Sequence, residues 1–118
     1  NRVAIATAQA NGCDYCLSAH SYLGLNAAKL GEAEIALNRQ GRSGDAKADA
    51  AVAFAFKVAQ TRGKVSDADI AAVKLAGWTE PQVVEIVANV ALNVLTNYIN
   101  NVAETDIDFP VVRFAEAA

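Results

Sequence analysis

Apolar and polar positions along the chain keep a helical period, broken at short, well-marked stops. The run Val3-Ala4-Ile5-Ala6-Thr7-Ala8-Gln9-Ala10 predicts a first helix over about 1–10, ended by Asn11-Gly12. A second is predicted from about Cys13 to Leu30, before Gly31, and a short third from Glu32 to Arg39, before Gly41. Gly41-Arg42-Ser43-Gly44-Asp45 reads as a loop, with Ser43 or Asp45 as cap of a fourth helix over about 45–61. Ser66-Asp67-Ala68-Asp69 opens a fifth, which carries Ile70, Val73 and Leu75 and ends at Gly77. Thr79-Glu80-Pro81-Gln82 has the capping-box pattern, with proline where the first turn tolerates it, and opens the longest helix over about 80–103. The expected fold is all-α, one domain over 1–118 with about six helices.

The last helix is apolar over more than one stripe: Val83, Val84, Val87, Val90, Val94, Leu95, Tyr98, Ile99 and Val102. Such a helix is expected to be buried on most sides, within the domain or between subunits. Its β-branched residues alone would suggest strands, but the capping box, the length and the spacing of three and four outweigh them. Glu85, Asn89, Asn93, Asn97 and Asn101 recur every four residues along one face. They read first as a solvated face or a polar seam between helices, and second as the lining of a water-containing pocket. The tail Asp106-Ile107-Asp108-Phe109-Pro110 reads as irregular chain that straps across a neighbour.

Composition narrows the function. Of 118 residues, 26 are alanine and only two are proline, which suits helices. The net charge of −3 offers no basic stripe for nucleic acid, so no such partner is expected. No uninterrupted apolar run approaches the ~20 residues of a membrane span, and no signal-peptide pattern opens the sequence. A cytoplasmic protein is expected. Asn1 leads into the apolar run without a cap or polar lead, so further residues are expected upstream.

One segment concentrates the chemistry. Asn11-Gly12-Cys13-Asp14-Tyr15-Cys16-Leu17-Ser18-Ala19-His20 holds both cysteines and the only histidine. On one helix, Cys13, Cys16 and His20 would fall within an arc of roughly 60°. Cys16 and His20 would stand one turn apart, about 6 Å along the axis. Cys13, expected in the first turn, would be made more acidic by the free N–H groups there. His20 can take a proton from Cys16 and return it. A thiolate, a second thiol and a proton shuttle suit thiol–disulfide or peroxide chemistry. Two buried core cysteines with a satisfied histidine remain an alternative. So does a metal site, although zinc would need a fourth ligand from a carboxylate or a partner chain. A structural disulfide three residues apart closes too small a loop to stabilise much, and Leu17 stands where a c-type haem site needs histidine.

The segment from Ala8 to Ser21 resembles the core of the alkylhydroperoxidase D-like family, part of the carboxymuconolactone decarboxylase superfamily, whose signature is C-x-x-C-x-x-x-H on a helix. The helix order, the Ser66 and Thr79 starts and the Asn-rich last helix before Asp108-Phe109-Pro110 resemble its peroxidase-related branch. The resemblance implies helical oligomers, trimers or hexamers, and thiol peroxidase activity without metal, haem or flavin. The implied partners are a hydroperoxide substrate and a thiol or dithiol reductant. By position, Cys16 would attack the peroxide, Cys13 would resolve the product as a disulfide, and His20 would belong to the proton relay. The family places a glutamate twelve residues before the first cysteine, where this chain has Asn1. Either the relay is weakened, or another carboxylate, from Glu80, Glu85 or a partner chain, replaces it. Two further functions stay open: a thiol–disulfide switch on the same fold, favoured by Asn1, and a lactone decarboxylase, which would not depend on the cysteines.

Overall fold

A computed structural model describes all of residues 1–118, as six α-helices and no strand. They are α1 (Arg2–Asn11), α2 (Asp14–Asn26), α3 (Glu32–Arg39), α4 (Ala46–Thr61), α5 (Asp67–Leu75) and α6 (Glu80–Ala103). The caps follow from the side chains at each start. Asp45 accepts the Ala48 N–H at 2.9 Å and so caps α4, whereas Ser43 turns inward to Glu34. Ser66 with Asp69, and Thr79 with Gln82, form complete capping boxes at α5 and α6.

Helix α1 lies at the centre and packs against α2, α3, α4 and α6. Its small residues make this possible, because Ala4, Ala6, Thr7 and Ala8 are buried and let neighbouring backbones approach closely. Two apolar clusters result. One joins Phe54 and Val58 of α4, Val73 of α5, and Ile86 and Val90 of α6. The other joins Ile5, Ala8, Cys13, Cys16, Leu17 and Ile35, so the cysteine pair is part of a core.

Helix α2 stops at Asn26, not near Leu30 as the sequence pattern predicts. The Asn26 amide bonds back to Tyr22 O, and Ala27 and Ala28 both donate to Leu23 O. Lys29 then takes a left-handed backbone (φ 57°), and the Leu30 N–H returns to Gly24 O. A methyl group on Gly24 would fall 2.7 Å from Ile35 Cδ1 of α3, so the end of that side chain would have to shift.

Helix α6 is apolar over more of its surface than a single chain covers. Within the chain it buries one side, chiefly Ile86, Val90, Asn93 and Asn97. Val84, Leu92, Leu95, Tyr98, Ile99 and Val102 are each more than half exposed. By length and composition α6 is apolar enough to cross a membrane. The last part of the asparagine series forms a seam with α1: Asn97 Oδ1 accepts from Asn11 Nδ2 at 3.0 Å, and Asn101 Nδ2 donates to Asn11 O at 3.3 Å, whereas Glu85 and Asn89 are exposed.

The tail after α6 is irregular, and it straps across its own α2. Val112 N–H donates to Ser18 Oγ (2.8 Å), and Phe114 N–H donates to Asp14 Oδ1 (2.8 Å). The buried Arg39 of α3 donates to the carbonyls of Arg113, Glu116 and Ala117. Phe109 packs on Tyr15 and Tyr22.

Candidate functional site

The turn between α1 and α2 sets the geometry of the cysteines. Gly12 takes a left-handed backbone (φ 66°), its N–H returns to Gln9 O, and the Cys13 N–H returns to Ala8 O. This paired closure is the Schellman end of α1, for which glycine carries no steric cost. The residue that completes it, Cys13, is at once the N-cap of α2. It therefore precedes the first turn, where the sequence pattern placed it inside. Its backbone is extended (φ −96°, ψ 97°), so the one-face arrangement of three side chains on a helix holds only for Cys16 and His20. The two cysteines still meet: their Cα atoms are 5.3 Å apart and their sulfurs are paired as a disulfide.

Each sulfur has one N–H donor. Cys13 Sγ accepts the Cys16 backbone N–H at 3.1 Å, one of the free donors at the start of α2. Cys16 Sγ accepts from Asn100 Nδ2 of α6 at 3.4 Å. Cys13 is fully buried and Cys16 is 3% exposed. A mostly polar cavity of about 310 Å³ is lined by their chain neighbours Gly12, Asp14 and Tyr15 and by Asn100, Thr105 and Arg113, and neither sulfur opens into it.

His20 stands one turn beyond Cys16 on α2, and its hydrogen bond runs to neither sulfur. Its Nδ1 faces Asn1 Oδ1 at 3.3 Å. With the Asn1 amide in this orientation its oxygen accepts, which places the hydrogen on Nδ1 and leaves Nε2 as the basic nitrogen. Burial lowers the pKa of His20 below its usual 6.5, so the ring is neutral at pH 7.

The carboxylates expected to replace the family glutamate stand elsewhere. Glu80 is bound to Lys74 at 2.7 Å, and both Glu80 and Glu85 are exposed. They begin α6, about 30 Å and about 22 Å along its axis from Asn100. No group of three or more His, Cys, Asp or Glu side chains is placed to hold a metal ion.

The sequence pattern pointed to Asn101 and missed Asn100, which falls outside the four-residue series. The doubled asparagine at 100–101, near the end of an apolar helix, was the available signal.

An all-helical chain with a buried C-x-x-C disulfide whose first cysteine caps a helix, and a histidine a turn beyond the second, defines a class of helical proteins with a cysteine pair at a helix start. The chain belongs to the carboxymuconolactone decarboxylase family, whose model matches residues 2–61. That match spans α1 to α4 and includes Cys13, Cys16 and His20, while Asn100 lies outside it. Among curated proteins none matches the sequence.

Proposed function

We propose that the protein is a thiol-dependent oxidoreductase of the alkylhydroperoxidase D-like type, which reduces hydroperoxides through Cys16 and Cys13. The observation that carries this reading is the Cys13–Cys16 disulfide at the start of α2, one turn from a neutral histidine. His20 Nε2 takes the Cys16 proton, and the thiolate attacks the terminal peroxide oxygen. An S–O bond forms, the O–O bond breaks, and the departing alkoxide takes the proton back to leave as alcohol. Cys13 then attacks the sulfenic sulfur. The disulfide forms, and hydroxide leaves as water with the Cys13 proton. A thiol or dithiol donor supplies two electrons and two protons to reopen the pair. The working protein is a cytoplasmic homo-oligomer, a trimer or hexamer, with the exposed face of α6 covered by further copies.

The test is peroxide consumption with a thiol donor. Cys16→Ser and Cys13→Ser are each expected to abolish turnover, and Cys16→Ser also to lose trapping of the sulfenic acid. A double variant as active as the parent would sink the reading.

A second reading is a thiol–disulfide switch, favoured by the amide of Asn1 where a relay needs a carboxylate, and by the burial of both sulfurs. A switch would be oxidised once by peroxide and give no multiple turnover with any thiol donor.

A further inference from the structure

Asn100 is placed so that its amide has one orientation. Nδ2 lies 2.9 Å from Thr96 O, a carbonyl that only accepts, so the NH2 end must face it. The second hydrogen of that NH2 group points to Cys16 Sγ at 3.4 Å. The other end is pinned as well, because the Thr105 hydroxyl donates to Asn100 Oδ1 at 2.7 Å. Thr105 reaches back because Glu104 ends α6 in a left-handed conformation (φ 48°), which also returns the Thr105 N–H to Asn100 O.

We infer that Asn100 is the side-chain donor that stabilises negative charge on Cys16, with Thr105 as the positioning residue that holds its amide. A disulfide sulfur is a weak acceptor, whereas a thiolate is a strong one, so this hydrogen bond gains most when the pair is reduced and Cys16 ionises. The fold thereby balances the two sulfurs. Cys13 draws on the backbone N–H groups that begin α2, and Cys16, one turn inside the helix, is supplied by a side chain from α6. Without Asn100 the helix start alone would favour charge on Cys13. The assignment rests on Cys16 being the sulfur that reacts, and it extends the site beyond α1–α4 to the last helix.

The experiment titrates the Cys16 thiolate by its ultraviolet absorbance in the Cys13→Ser protein, where it is the only thiol. Adding Asn100→Ala is expected to lower the thiolate fraction at pH 7 about tenfold, the loss of one hydrogen bond to a charged group. Asn100→Asp, which puts an anion in place of the donor, should lower it at least as far. Thr105→Val should lower it by a smaller factor and Thr105→Ser should restore it, a pattern that general loosening of the fold would not give. Titration curves that superimpose across the series would overturn the assignment. If Asn100→Ala loses its helical circular dichroism, the Thr105 pair decides on the same terms. Peroxide consumption is not read, so a protein with no turnover would refute the proposed function while these curves still judged Asn100.

Discussion

His20 Nδ1 lies 3.3 Å from Asn1 Oδ1, so the histidine beside the cysteine pair is held by an amide. The amide can fix the tautomer, but it has no charge with which to stabilise an imidazolium and cannot accept the proton in turn. Burial acts in the same direction. The histidine is thus ready to take a proton from Cys16 at pH 7, and poorly able to keep it.

Asn1→Asp changes this with almost no change of shape. A carboxylate at the same distance is expected to raise the His20 pKa and to increase peroxide turnover about tenfold. Proton NMR of the only histidine reads the first effect directly. In the parent, the lowered pKa means that His20 contributes stability above pH 6.5, which is lost as pH falls from 6.5 toward the folded value. In Asn1→Asp the sign reverses once the folded pKa exceeds 6.5: the contribution is then present below 6.5 and is lost as pH rises through the new folded value. An unmoved histidine titration would show that Asn1 does not govern the ring.

His20→Gln removes the base and keeps a polar side chain of similar reach. Turnover with peroxide is expected to fall about 10²-fold, within the range for a lost general base. Formation of the Cys13–Cys16 disulfide by a chemical oxidant should persist, since no hydrogen bond from His20 reaches either sulfur. Turnover within threefold of the parent would remove His20 from the mechanism.

Glu34 predicts an acid limit to stability. Burial alone would raise its pKa. Hydrogen bonds from the Ser43 hydroxyl, Gly44 N–H, Asn38 amide and Arg2 guanidinium outweigh that and hold it down to about 2. Its stabilisation, on the order of 2–3 kcal/mol, is present above the unfolded value near 4.5 and is lost as pH falls toward 2. Denaturant midpoints of the parent should drop across that interval. Glu34→Gln should be weaker at pH 7 and fall less steeply from 4.5 to 2, its remaining slope coming from Asp49, Asp69 and Glu80, whose hydrogen bonds also hold their pKa values down. Parallel curves for the two proteins would contradict the assignment.

The helices were legible because each is closed by local chemistry: Gly12 ends α1, Asp45 starts α4, and the Ser66 and Thr79 boxes start α5 and α6. The end of α2 was not, because it depends on Lys29 in a left-handed conformation and on Leu30 folding back near Gly24. The cysteines and histidine were visible as spacing, but spacing cannot say that Cys13 is a cap and not a first-turn residue. Asn100 was hidden because its partner, Cys16, lies 84 positions away, and only the crossing of α6 past α2 brings them together. The tail was read as irregular, yet the hydrogen bonds from Arg39 and to Ser18 and Asp14 that tie it to its own chain join residues far apart in sequence.

The face of α6 makes the last prediction. Leu92, Leu95, Tyr98, Ile99 and Val102 are each more than half exposed, a denser apolar surface than a monomer ordinarily leaves in water. A cover of lipid fits poorly, because Asn89, Asn93, Asn97, Asn100 and Asn101 run through the same helix, and polar amides in hydrocarbon are costly. A cover by further copies needs no such cost, since Asn97, Asn100 and Asn101 bond to α1 and α2 while the leucine face meets its like. With the trimer or hexamer that the alkylhydroperoxidase D-like resemblance implies, the parent is expected to sediment at three or six times its 12.3 kDa. Leu95→Glu with Ile99→Glu places charges in the centre of that face and should yield a monomer with unchanged helix content. The monomer should also be less stable to denaturant, because the face is then exposed in the folded state as well. A parent that sediments at 12.3 kDa over a tenfold range of concentration would refute the assembly, and flotation of the parent with lipid vesicles would assign the face to a membrane surface instead.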